Sequence, residues 1–148
     1  MISPELLRRY PYFADVSEDA LKEVAMIGEE NSATADTTLF TDGDRADSLH
    51  ILVEGEVDLK YTLGNGDQRT VDTLVAGDLL LWSALVEPYK ATATGICKTN
   101  VKLLSFDGRK LKDLCESNHD LGYRMLICLT KLLANRLEGA RVQLATID

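Results

Sequence analysis

Gly43-Asp44-Arg45-Ala46-Asp47-Ser48-Leu49-His50-Ile51-Leu52-Val53-Glu54-Gly55-Glu56-Val57 is the stretch whose reading decides the fold. Asp42-Gly43-Asp44 opens it with a turn signal, because glycine takes a positive φ freely and aspartate bonds nearby backbone. Ser48 to Val53 reads as a strand, and Glu54-Gly55-Glu56 as a second turn. Val57, Leu59, Tyr61 and Leu63 then alternate with Asp58, Lys60 and Thr62, the period of a half-buried strand. Gly64-Asn65-Gly66-Asp67 is a hairpin turn, and Thr70 to Leu74 is the returning strand.

Outward from this unit the pattern continues as β structure. The β-branched run Thr34 to Thr41 precedes it, and further strands are expected near Lys90–Cys97 and Val101–Phe106. Short strands at this spacing predict an antiparallel barrel or roll. Both ends are helical. Ser3 is a candidate cap, Pro4 suits the first helical position, and Pro11 ends the segment. A second helix opens at Ser17, with Ala20, Leu21, Val24 and Ala25 as its apolar stripe. Asp107 is a cap for a helix carrying Leu111 and Leu114. A long helix follows from about Asp120, itself read as an N-cap. Its apolar positions, from Leu121 to Leu144, are too many for one stripe. One face is expected to pack on the sheet and a second to need a partner, most simply another copy of the chain through the 120–146 helix. The fold class is therefore α+β: an antiparallel β-roll, a jelly-roll-like barrel, between N-terminal helices and a long C-terminal helix. One domain spans 1–148, helical over 1–29, β-roll over 30–106 and helical over 107–148.

The 148 residues include 16 basic and 24 acidic side chains, a formal charge of −8. Residues 1–74 hold six basic and sixteen acidic groups, a net of −10; residues 75–148 hold ten and eight, a net of +2. This balance argues against a general binder of nucleic acid or anionic membrane, which needs clustered Lys and Arg. It makes the second half the better place for an anionic ligand. Cys97, Cys115 and Cys128 form no CxxC and no even framework, so reduced thiols in the cytoplasm are expected. The N-terminus lacks the pattern of a signal peptide, and no apolar run is long enough to span a bilayer. His50, in a strand, and His119, between helices, are read as structural. No HExxH, GxSxG, Walker A or kinase-like motif occurs, so enzymatic activity is not expected.

Residues 77–93 carry the remaining chemistry: Gly77-Asp78-Leu79-Leu80-Leu81-Trp82-Ser83-Ala84-Leu85-Val86-Glu87-Pro88-Tyr89-Lys90-Ala91-Thr92-Ala93. A glycine ends a strand, a short apolar segment near 82–86 allows one helical turn, and Pro88 stops it. The start of such a turn presents free N–H groups that suit an anion, with the Ser83 hydroxyl beside them and Lys90 and Thr92 further along. The plainer reading is a strand crossover in which Trp82 fills core.

Together these residues resemble the cyclic-nucleotide-binding domain of the CRP/FNR regulator superfamily. Leu7-Arg8-Arg9-Tyr10-Pro11-Tyr12-Phe13 is similar to that family's opening helix and turn. Residues 43–57 follow its pattern G-[DE]-x-[AS]-[DN]-x-[LF]-[YF]-[IL]-[VI]-x-x-G-x-[VA] closely. The resemblance implies that Gly77 to Ala93 is the phosphate-binding cassette, similar to G-[DE]-x-F-G-E-[LI]-A-L followed by R-x-A-[ST]-[AV]. Gly77, Asp78, Ala84, Leu85, Ala91, Thr92 and Ala93 match. The family's ribose-binding Glu falls at Trp82 and its phosphate-binding Arg at Tyr89. In an extended strand Lys90 would point away from Tyr89's side. Each lost charge-assisted contact costs about 1.5–3 kcal/mol, so the implied effector is a weakly held cyclic AMP or cyclic GMP, or another, flatter and more apolar molecule. The implied ligand set is Gly77, Asp78, Leu79, Leu80, Trp82, Ser83, Ala84, Tyr89, Lys90, Ala91 and Thr92, with Arg136 reaching in from the last helix. No certain cofactor and no metal follow. The resemblance further implies a regulatory module that signals through its C-terminal helix to an unidentified protein. Ile147-Asp148 falls where a helix-turn-helix domain would begin, so no direct DNA binding is expected. A ligand-free scaffold and an effector domain separated from its DNA-binding domain are the alternatives.

Overall fold

The structure, a computed structural model, describes residues 1–147. Two short helices lead: α1 (Pro4–Leu7) and α2 (Glu18–Ile27). The β unit comprises β1 (Gly28–Ala33), β2 (Thr38–Phe40), β3 (Ser48–Glu54), β4 (Val57–Thr62), β5 (Gln68–Leu74), β6 (Leu79–Leu80), β7 (Thr94–Cys97) and β8 (Val101–Asp107). A 3-10 turn, Trp82–Leu85, sits between β6 and β7. Helices α3 (Gly108–Ser117) and α4 (His119–Ala145) close the described chain.

The strands form two antiparallel sheets, ordered β1-β8-β3-β6 and β2-β7-β4-β5. Their facing sides make one core, from Leu52, Val57, Leu74, Leu80, Cys97, Val101 and Leu103. The outer face of the first sheet meets the helices in a second core, where Leu49, Ile51, Leu104 and Phe106 pack against Phe13, Val24, Leu111, Leu121 and Met125. The period-two alternation of β3 explains the division: Leu49 and Ile51 face the helices while Leu52 faces the other sheet. Gly55, at φ 94, turns β3 into β4. A Cβ there would strike the Asn100 carbonyl and crowd Thr99 Oγ1 at 2.8 Å, so this turn requires glycine.

Several local expectations are corrected. The first helix is one turn long and Ser3 makes no side-chain cap; Ser17 does, accepting from Ala20 N–H. The cap of α4 is Asn118, which accepts from Leu121 N–H, and Asp120 is a first-turn acid favoured by the helix dipole. Tyr61 and Leu63 are exposed, because β4 outruns the sheet that covers Val57 and Leu59. The strand expected from Lys90 is regular only from Thr94. Before that, Tyr89 to Ala91 pair irregularly with Gly43 to Ala46, through Ala46 N–H to Tyr89 O at 2.8 Å and Ala91 N–H to Asp44 O at 2.8 Å. Asp107 caps α3 as expected, accepting from Lys110 N–H.

Helix α4 has two apolar sides. Leu121, Met125 and Leu129 are buried, with Cys128 and Leu132 packed beside them. Tyr123, Leu126, Leu137, Val142 and Leu144 are exposed. No helix among the described residues is long and apolar enough to cross a membrane.

Candidate functional site

The segment from Gly77 to Ala93 wraps one end of the inter-sheet core. Gly77 takes φ 95 and donates its N–H to Leu52 O at 2.7 Å. Its carbonyl accepts from the Tyr12 hydroxyl at 2.8 Å. Burial, reinforced by Asp78, pushes that phenol up to about 12, so Tyr12 is a fixed donor. Asp78 Oδ2 accepts from Val75 N–H at 2.9 Å and closes the turn. Leu79 and Leu80 alternate between the two cores.

Leu81 then adopts φ 62 and ψ 48, the left-handed region that disfavours a Cβ. It throws the chain into the 3-10 turn. This turn brings Trp82 and the buried Ser83 to the open end of the roll, where Thr92 and Ala93 return past them. Arg136 of α4 completes the enclosure. Its Nη1 donates to Asp72 Oδ2 of β5 at 2.8 Å. Its Nε is buried with no hydrogen-bond partner among the described residues. The space left between these groups is a cavity of about 30 Å³, the room of a single water molecule.

Five expected ligand residues therefore converge on one cavity: Leu79, Trp82, Ser83, Thr92 and Arg136. Gly77, Asp78, Leu80, Ala84 and Ala91 shape the surrounding turn or fill core and do not line it. Tyr89 and Lys90 lie outside the lining as well. Tyr89, at φ 58, turns its ring toward α3, where Lys112 Nζ donates to the phenol oxygen at 2.6 Å. Lys90 forms an isolated bridge with Arg45. Sequence reasoning missed Phe40, Leu59, Leu74 and Leu81 in the lining, and Asp72 beside Arg136. Strand alternation marks Leu59 and Leu74 as inward, and the cassette pattern puts its second glycine at Leu81, whose positive φ fits that position. No local signal marks Asp72.

A larger, open apolar groove of about 600 Å³ lies outside the roll. Leu85 and Val86 form one side, and Tyr123, Met125, Leu126 and Leu129 of α4 the other. It borders the exposed apolar side of α4. His50, read as structural, bonds through Nδ1 with Ser105 Oγ at 2.7 Å, and burial pulls its pKa down to about 4.

Comparison with known proteins agrees with this geometry. Residues 30–118 match the profile of the cyclic nucleotide-binding domain, and the chain belongs to that family. Over 121 residues it is 30% identical to cGMP-dependent protein kinase, isozyme 1, of Drosophila melanogaster, covering 77% of this chain and 16% of that one. The chain thus spans about a sixth of that relative's length. A candidate cyclic nucleotide-binding protein of Geobacter metallireducens superposes with a TM-score of 0.82 at 33% identity, over 93% of this chain and 99% of the other. The N-terminal domain of a Streptomyces coelicolor transcriptional regulator does so with a TM-score of 0.70 at 27% identity, over 91% and 94%.

Proposed function

We propose that this chain is a non-catalytic sensor module that takes a small effector in the β-roll and passes its ligand state on through α4. One observation carries the reading: the cavity is bounded on one side by the cassette, through Trp82 and Ser83, and on another by α4, through Arg136. A molecule larger than one water displaces one wall or the other, so occupancy and helix position are energetically coupled. The output goes to a partner protein. The module also pairs with a second copy. Tyr123, Leu126, Thr130, Leu133, Leu137, Ala140 and Leu144 recur at alternating spacings of three and four along α4, the seam of a two-stranded coiled coil.

Cyclic nucleotides are weak ligands in this reading, because neither Trp82 nor Tyr89 supplies the contact of the residue it replaces. Isothermal titration with cyclic AMP and cyclic GMP tests this. The wild-type chain is expected to bind about 10²- to 10⁴-fold more weakly than a Trp82→Glu/Tyr89→Arg variant, in which both charged groups are restored. Micromolar affinity of the wild-type chain overturns the weak-ligand statement. A folded double variant that binds neither nucleotide overturns the sensor reading and favours a ligand-free scaffold, the alternative that the small cavity supports.

A further inference from the structure

Among the described residues Arg136 is the one cation in the lining of the roll cavity, and it stands on α4, not on the cassette. Two features of its guanidinium point to a ligand. The Nη1 group is held by Asp72, whose side chain is 45% exposed against 21% for Arg136. Asp72 thus anchors the less exposed arginine from the solvent side, through Nη1. The Nε group is buried and unpaired among the described residues, a condition rare in folded proteins. Arginine Nε and Nη2, both on the side away from Cδ, form a rigid fork that pairs side-on with two oxygens of a carboxylate or phosphate. Asp72 holds Nη1, on the Cδ side, and leaves Nε of that fork open.

The rest of the lining sets the body of the ligand. Phe40, Leu59, Leu74, Leu81 and Trp82 are apolar, and the Ser83 and Thr92 hydroxyls stand among them. We propose that the roll takes an organic anion, a carboxylate or phosphate on a compact apolar body, whose acid group occupies the Nε–Nη2 fork of Arg136 beside the Asp72 carboxylate. Asp72 then orients the guanidinium through Nη1 and, as a neighbouring negative charge, weakens the hold on the anion, and the anion-binding charge comes from the signalling helix itself. The assignment rests on the sensor reading above and names its ligand class.

Trp82 is the only tryptophan and lines the cavity, so its emission reports occupancy. The full chain is titrated with phenyl phosphate, benzoate and neutral benzyl alcohol, the first two distinguishing phosphate from carboxylate. At least one anion is expected to change the emission saturably. Asp72→Asn is expected to tighten that binding about two- to fivefold, and Arg136→Gln to weaken it about ten- to a hundredfold. The gain in Asp72→Asn cannot arise from misfolding. Equal affinity across the three proteins, or benzyl alcohol binding as tightly as the anions, overturns the anion assignment and leaves the sensor reading standing. No saturation by any of the three molecules in any variant overturns both.

Discussion

Leu81 holds a backbone conformation that its Cβ opposes. At an ordinary position alanine is more stable than glycine by roughly 0.5–1 kcal/mol; at φ 62 the order reverses. Leu81→Ala keeps the strain and loses the side chain, whereas Leu81→Gly loses the side chain and relieves the strain. The glycine variant is therefore expected to be about 1 kcal/mol more stable than the alanine variant, read as a higher denaturant midpoint at unchanged slope. The opposite order would show that Leu81 is unstrained. The same residue marks where reading by pattern stopped short. A family motif assigns residue types to positions, and Trp82, Ser83 and Thr92 fell on the cavity as that motif requires. Tyr89 did not follow, because its side chain is set by a contact across the fold with Lys112, 23 residues away. Asp72 was out of reach for the same reason, since its partner Arg136 lies 64 residues on.

At the scale of elements, β3 and β8 are joined by more than their ladder. His50 Nδ1 and Ser105 Oγ lie 2.7 Å apart in the partly buried space between the strands. Burial holds His50 near 4 against a usual 6.5. The unfolded chain therefore binds a proton between pH 6.5 and 4 that the folded chain refuses. Stability contributed by neutral His50 is complete above 6.5 and is lost as pH falls toward 4, by up to about 3 kcal/mol. Denaturation of wild type and His50→Gln at pH 7 and 4.5 checks this: the wild-type chain is expected to lose more on acidification than the variant. Equal losses would place the histidine in a solvated site. The order and sense of the strands were legible in residues 43–74, where turns and alternation agree. The lengths of α1 and β7 were not, because packing against α2 and the pairing of Gly43–Ala46 end them.

Across the whole molecule, the two cores account for both faces of the first sheet and the inner face of the second, but not for the outer side of α4. Leu126 and Leu137 are 63% and 52% exposed there. Leu126→Glu/Leu137→Glu is expected to sediment as a monomer with unchanged helical content, and the wild-type chain as a dimer. A monomeric wild-type chain at high micromolar concentration would refute the pairing.

Helix α4 is at once a wall of the roll cavity and the bearer of this unpaired side. Linkage between two equilibria that share one element is reciprocal: whatever factor an effector applies to pairing, pairing applies to the effector. Under the proposed effector site and pairing, affinity for the ligand is then a function of how much protein is in the tube. A cell could tune the set point of the sensor through its abundance alone, with no change in a single residue.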